Sequence, residues 1–220
     1  MRHPNQSAKN DLLYKIYAEQ IARFASLIHG NVLDLGCGDK PYASLFYLTE
    51  KSRYIGIDII KGQSDVIASG EYLPFQDEVF DSAVCLQTLE HVREPKALLN
   101  EAYRVLKPGG VLLLTTPFMW GVHSEPYDYF RYTPYGIEYL AKQAGFIAER
   151  VIADTGFWLL MALRLNYYLS RLNTSLFNLI FWLTQRLGHF LDSLDVRYRH
   201  RDTAGYTTVL RKVNGTKIVS

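Results

Sequence analysis

The chain has 220 residues, 48% of them hydrophobic and 21% charged, with a formal net charge of +2. At roughly 100–200 residues per domain it is long enough for one well-cored domain and short for two, and its apolar content excludes extended disorder. Two cysteines, Cys37 and Cys85, exclude a disulfide framework, and an opening stretch without an apolar core predicts a cytoplasmic protein with reduced thiols.

Residues 1–10 are polar and expected to fray. Residues 11–29 carry apolar side chains at helical spacing and stop at Gly30. Short runs rich in β-branched residues follow: VLDLG (32–36), YIGIDI (54–59), DVIAS (65–69), FDSAVCLQ (80–87) and VLLLTTP (111–117). Helical stretches are expected between them at about 41–50, 95–106 and 134–144, with KPGG (107–110) as a turn before the fifth strand. A sixth strand fits 146–153 and a last one 206–213. Strands alternating with helices predict βαβ units around a mostly parallel sheet, and strands apolar nearly throughout predict helices on both faces.

Residues 155–195 interrupt this pattern and read as two helices, about 157–172 and 175–194, broken near Asn173, Thr174 and Ser175. Arg164, Arg171 and Arg186 break up the apolar run, which falls short of the ~20 residues of a membrane span. The second helix carries a wide apolar arc: Leu176, Leu179, Ile180, Phe181, Leu183, Leu187, Phe190, Leu191 and Leu194. That arc must be covered by the domain itself, a second subunit, lipid or a greasy substrate. A helical lid is expected, within one domain spanning 1–220, with a homodimer or peripheral membrane contact as its candidate partners. Charge is uneven: residues 1–154 hold 15 basic and 19 acidic side chains, residues 155–220 nine and three. A basic final third, including RYRHR (197–201), suits an anionic contact or a solvated face.

The chemistry is concentrated in the first strand and its turn, Asp34-Leu35-Gly36-Cys37-Gly38-Asp39-Lys40-Pro41. Glycines there let the backbone approach a ligand, and Asp58, about 20 residues on at the end of the second strand, can accept both hydroxyls of a ribose. An adenosine-containing cofactor follows. A dinucleotide fingerprint requires a third glycine, where this chain has Pro41, and Asp34 would repel a pyrophosphate. Asp34 suits a cationic ligand instead, such as a sulfonium with an α-ammonium group, which favours S-adenosylmethionine over NAD.

VLDLGCG, YIGID, LPFQDEVFD (73–81), LEHV (89–92) and EAYRVLKPGG (101–110) together resemble the class I S-adenosylmethionine-dependent methyltransferases, and within them the quinone-biosynthesis methyltransferases. The resemblance covers about residues 30–150. It implies a Rossmann-like, doubly wound seven-stranded sheet of order 3-2-1-4-5-7-6 with an antiparallel last strand, so that 155–195 is an insertion between strands six and seven. It also implies that Asp34, Gly36, Cys37 and Gly38 line the methionine end, that Asp58 and Ile59 hold ribose and adenine, and that Leu86 and Gln87 border the cofactor. Ser69 stands where that family often has an acid contacting the adenine amino group. Cys37 reads as a small filler rather than a reactive thiol.

Methyl transfer from a sulfonium mainly requires alignment, and an oxygen acceptor also needs its proton removed. The segment after the fifth strand, 117–133, is dense in aromatic and ionisable groups. His123 is the candidate base, with His91 and Tyr129 as further catalytic candidates and Trp120 and Arg131 as acceptor contacts. Asp128 and Arg131 could equally pair to order the loop, with Thr133 capping the next helix. No His/Cys/Asp/Glu group has metal-ligand spacing in the sequence, so no metal is expected. The expected function is methylation of a small, apolar and anionic acceptor. The alternatives are a non-catalytic docking protein on the same fold or an RNA methyltransferase; nucleic acid is disfavoured because LQTLEHV lacks the Asn/Asp-Pro-Pro-Tyr type motif.

Overall fold

A computed structural model describes residues 11–169, 177–195 and 201–213. Seven strands form one sheet: β1 (Val32–Leu35), β2 (Tyr54–Asp58), β3 (Val66–Ile67), β4 (Phe80–Leu86), β5 (Leu106–Pro117), β6 (Phe146–Ala153) and β7 (Gly205–Lys212). Their order is β3-β2-β1-β4-β5-β7-β6. β1 to β5 pair in parallel, and β7 runs antiparallel between β5 and β6. This is the architecture the motifs implied.

Side chains alternate across the sheet. Leu33, Leu35, Ala83, Cys85, Leu112 and Leu114 point into one core, under α2 (Pro95–Val105) and α3 (Pro134–Ala144). Val32, Val84, Val111, Leu113 and Val209 point into the other, under α1 (Asp11–Ala22). Both faces are covered, which is why these strands are apolar at nearly every position. α3 begins as expected, with the Thr133 hydroxyl accepting from the Gly136 N–H and Pro134 at its first turn, and it ends at a left-handed Gly145.

Three local expectations are corrected. The helix over 41–50 is only a short 3₁₀ turn at Ala43–Leu45. The chain reaches it through Lys40, which adopts a left-handed backbone (φ 53°). The 107–110 turn does not precede β5 but bulges out of it: Leu106 pairs with Phe80 and Val111 with Ser82, so 107–110 loops out within the strand. The first helix ends at Ala22, and a 3₁₀ turn at Ala25–Leu27 completes the segment. The expectations for residues 1–10, for the break near 173–175 and for 197–200 lie outside the described residues.

The insertion folds as α4 (Phe157–Leu169) and α5 (Phe177–Leu194). α4 packs inward through Leu159 and Leu163, which meet Ile16 of α1 and Trp120. α5 fastens α4 by polar means. Its Asp192 carboxylate accepts from the N–H groups of Gly156 (2.7 Å) and Trp158 (2.9 Å), capping the start of α4, and Thr184 bonds Asn166. A Cβ on Gly188 would stand 3.0 Å from the Leu159 Cα, so the two backbones nearly touch there. With Thr184, Gln185, Gly188 and Asp192 turned toward α4, the apolar arc faces outward: Leu183, Leu187, Phe190 and Leu194 are half or more exposed. The arc is therefore not the inner surface of a lid.

Candidate active site

The two carboxylates picked out in the sequence stand at the ends of neighbouring parallel strands. Gly36 and Gly38 both adopt left-handed conformations (φ 72° and 50°), and a Cβ on Gly36 would collide with the side chain of Thr88. The N–H groups of Gly36 and Cys37 donate to the Ile57 carbonyl, both at 2.9 Å, which curls the loop over the end of β2. Gly38 N–H donates to Asp58 Oδ2 (3.0 Å) and Ile60 N–H to Asp58 Oδ1 (3.0 Å). One bond on each oxygen leaves each with a further acceptor site, the number a ribose diol requires. Beyond Asp58, Ile59 and Ile60 form an exposed apolar shelf, 66% and 45% accessible.

Asp34 is 4% exposed, and its Oδ2 accepts from the Tyr54 hydroxyl at 2.7 Å. Burial pushes its carboxyl up to about 7, a rise the Tyr54 bond and the Lys40 charge offset only in part. Lys40 itself is paired with Asp65 (2.6 Å). A buried carboxylate whose near partner is a neutral hydroxyl fits an approaching ammonium and repels a phosphate. No α-helix starts after the loop, so the N–H cradle that a pyrophosphate uses is missing as well. The residues thus fit the cationic end of S-adenosylmethionine. Cys37 is buried, and burial together with the Asp34 and Asp58 charges pushes its thiol up to about 12, which leaves it inert as the sequence suggested.

At the end of β4, Gln87 takes a left-handed backbone (φ 53°) and is held by Thr115, whose Oγ1 accepts from its N–H (3.0 Å) and its Nε2 (3.2 Å). Ser69 is tied to Glu71 in both directions: its hydroxyl donates to Glu71 Oε2 (3.0 Å) and accepts from the Glu71 N–H (3.2 Å). Glu71, an acid not singled out in the sequence, thus stands two residues past that position and also accepts from the Glu94 N–H (3.1 Å).

The other candidates gather around the 3₁₀ turn Leu89–His91, which follows β4. The loop after β5 is bonded onto it. Tyr129 N–H donates to the Glu90 carbonyl (2.9 Å), the Tyr132 hydroxyl to the Leu89 carbonyl (3.1 Å), and His91 Nδ1 to the Tyr127 carbonyl (2.7 Å). His91 and His123 thereby meet edge to face, ring centroids 4.9 Å apart. Burial works to lower the His123 pKa, but the Glu90 and Asp128 carboxylates outweigh it and hold the imidazole above its ordinary value. Tyr129 accepts from Arg93 Nε (3.0 Å).

Arg131 is turned into its own loop. It forms a bidentate pair with Asp128 (2.6 Å for each bond) and donates to the carbonyls of Trp120, Gly121 and Phe130. That pair lowers Asp128 to about 2 against the opposing pull of burial. Arg131 and Asp128 thus fasten the loop, the second of the two readings given above. Trp120 sits between this loop and the insertion, edge-on to Tyr167 of α4. The residue not singled out in the sequence is Glu90. It is fully buried, and neither carboxylate oxygen has a hydrogen-bond partner.

Residues 33–114 match the family described as a methyltransferase domain. A tRNA (carboxymethyluridine(34)-5-O)-methyltransferase of Arabidopsis thaliana is 31% identical over 134 residues, 54% of this chain and 32% of that protein. A ubiquinone biosynthesis O-methyltransferase of Pseudomonas entomophila is 32% identical over 101 residues, 46% of this chain and 39% of that protein. The chain spans about half or less of the length of the curated relatives it matches. Among solved structures, a phosphoethanolamine N-methyltransferase of Haemonchus contortus superposes with a TM-score of 0.59 at 19% identity, covering 92% of this chain and 53% of that one. With the strand order, the glycine loop and the two strand-end acids in place, residues 33–114 are a methyltransferase domain of the class I S-adenosylmethionine-dependent type.

Proposed function

We propose that the protein transfers the methyl group of S-adenosylmethionine to a small-molecule acceptor. The observation that carries this reading is the buried Asp34 carboxylate beside a left-handed glycine loop, with Asp58 at the next strand end. S-adenosylmethionine supplies a methyl group already activated on a sulfonium. Asp34 would pair with its α-ammonium, Asp58 would take the ribose hydroxyls, and the Ile59–Ile60 shelf would face the adenine. The acceptor is assigned to the space bordered by the Leu89–His91 turn and the 118–133 loop, where Glu90, His91 and His123 can handle its proton or negative charge. Calorimetry with S-adenosylmethionine tests the cofactor half. Asp58→Asn should weaken binding by on the order of 10- to 100-fold, the value of one or two hydrogen bonds to a charged group. Unchanged affinity would refute the ribose assignment.

An RNA acceptor is not favoured. Basic groups of the C-terminal third are engaged internally: Arg211 with Glu149 and the Gly109 carbonyl, Lys212 with Glu78 and the Leu106 carbonyl, and Arg164 with the Met119 carbonyl. The outward arc of α5 supports a second reading that can accompany the first, in which the hairpin rests on an apolar partner, a second copy of the chain or a lipid surface. No helix among the described residues is long and apolar enough to cross a membrane. Sedimentation with and without anionic vesicles separates the two partners. A monomer that ignores vesicles would defeat this second reading.

A further inference from the structure

Glu90 poses an unsolved problem in electrostatics. A carboxylate with no accessible surface and no hydrogen-bond donor is a costly arrangement unless a positive charge completes it. The nearest side-chain nitrogens are Nε2 of His91 at 3.7 Å and Nε2 of His123 at 3.8 Å, both beyond hydrogen-bond length from Glu90 Oε1.

The far nitrogens of both rings are already committed. His91 Nδ1 faces the Tyr127 carbonyl at 2.7 Å, and a carbonyl only accepts, so the proton of neutral His91 is on Nδ1 and the lone pair is on Nε2. His123 Nδ1 lies 3.3 Å from the Gly121 carbonyl and 3.4 Å from Asp128 Oδ2, two acceptors that likewise place its proton on Nδ1. Arg131 approaches the same nitrogen at 3.4 Å, but its shorter bonds go to Asp128 and the Gly121 carbonyl. Two lone pairs and a carboxylate oxygen therefore lie within 4.8 Å of one another. Ligating imidazoles typically donate their other N–H to a carbonyl or carboxylate, which is the arrangement both rings show.

We propose that Glu90, His91 and His123 form a binding site for a divalent transition-metal ion of the Zn²⁺ class. Two imidazoles and one carboxylate are a donor set such ions take, and three protein ligands leave at least one position open. At bond lengths of about 2.0–2.1 Å, tetrahedral ligand atoms stand about 3.4 Å apart, so the Glu90–histidine distances of 3.7 and 3.8 Å must close by about 0.4 Å and the two imidazole nitrogens, within 4.8 Å of one another, by up to about 1.4 Å, which rotation of the two rings can supply. The sequence concealed the set because its members come from two segments, the turn after β4 and the loop after β5, which meet only through the bonds between them. Metal binding stands apart from methyl transfer; its role toward the acceptor rests on the reading above. There, an acceptor hydroxyl in the open position would have its pKa lowered by the ion and would release its proton to solvent water rather than to a side-chain base.

The test uses the full chain, stripped with a chelator and titrated with Zn²⁺ by calorimetry and with Co²⁺ by visible absorption. One ion per chain is expected, with cobalt bands of nitrogen and oxygen ligation. His91→Ala and His123→Ala should each weaken binding on the order of 100-fold or more, beyond the 10- to 100-fold typical of outer-sphere partners. His123 is a third exposed, so its variant should fold, and the near-isosteric Glu90→Gln provides a third variant that keeps the packing. Asp58→Asn should leave metal binding unchanged, so this proposal and the cofactor assignment fail separately. Absence of stoichiometric binding, binding unaltered in both histidine variants, or intense thiolate charge-transfer bands would each overturn the site. The first of these outcomes would assign the compensating charge to a proton alone.

Discussion

The sheet and the helical hairpin bury opposite kinds of side chain. In the sheet, Leu33, Leu112 and Leu113 have no exposed surface, and the apolar runs visible in the sequence are the core. In the hairpin, α5 turns Thr184, Gln185, Gly188 and Asp192 toward α4 and leaves Leu187, Phe190 and Leu194 outside, at 56%, 58% and 69% exposure. Hydrophobic periodicity thus marks a face that needs covering without saying what covers it. For the sheet the cover is the rest of the domain. For α5 the described residues leave that face exposed.

The largest expected effect comes from the exception on the sheet side, Asp34. Its pKa in the folded chain is raised to about 7, above the ordinary carboxylate value, so its contribution to stability is fully present below about pH 4 and is lost as pH rises through 7. Without ligand, Asp34→Asn should stabilise the protein at pH 8 by about 2–4 kcal/mol and do little at pH 4.5, as read by denaturant melts. With Asp34 paired to the ammonium as proposed, S-adenosylmethionine would reverse the preference by selecting the ionised form. Its affinity should therefore rise between pH 6 and 8 in the native chain and stay flat in the variant. An affinity that falls with pH would contradict the ammonium contact.

The same substitution made on both sides sharpens the comparison. Leu113→Ala should cost about 3 kcal/mol, and Leu187→Ala less than about 0.5 kcal/mol, in thermal melts of the isolated chain. Equal costs would mean that a partner already covers α5 under those conditions. Gly188→Val should cost about 1–3 kcal/mol, because its Cβ meets the α4 backbone, and the loss should appear as early hydrogen exchange in α4 and α5 while the sheet stays protected. The smallest effect on stability belongs to Leu183→Gln with Phe190→Gln, within about 0.5 kcal/mol. That pair should nonetheless remove any self-association or vesicle binding, and retention of either would move the interface elsewhere.

Much of the cofactor end was legible because its signals are local. Gly36, Gly38, Asp34 and Asp58 lie within one βαβ-like unit, and strand ends in an open sheet meet at one edge by topology alone. The 41–50 segment was misread because its apolar residues suit a helix, while a left-handed Lys40, pinned by Asp65, directs the chain into a single 3₁₀ turn. At the acceptor end, His123 and His91 were visible as residue types but not as neighbours. Glu90 was passed over because LEHV read as part of a family segment, and burial without a partner is a property of the fold rather than of spacing. The inward polar face of α5 was hidden for a related reason: Asp192 caps a helix 34 to 36 positions before it in the chain.

Thr88 joins the two halves of the candidate site. Its side chain rests against Gly36, so that even one added carbon on the glycine would collide with it, and it immediately precedes the turn that carries Glu90 and His91. Its hydroxyl also donates to the Gly36 and Leu86 carbonyls, so the glycine loop and the Leu89–His91 turn form one packed unit, and a side chain introduced at Gly36 would disturb both at once.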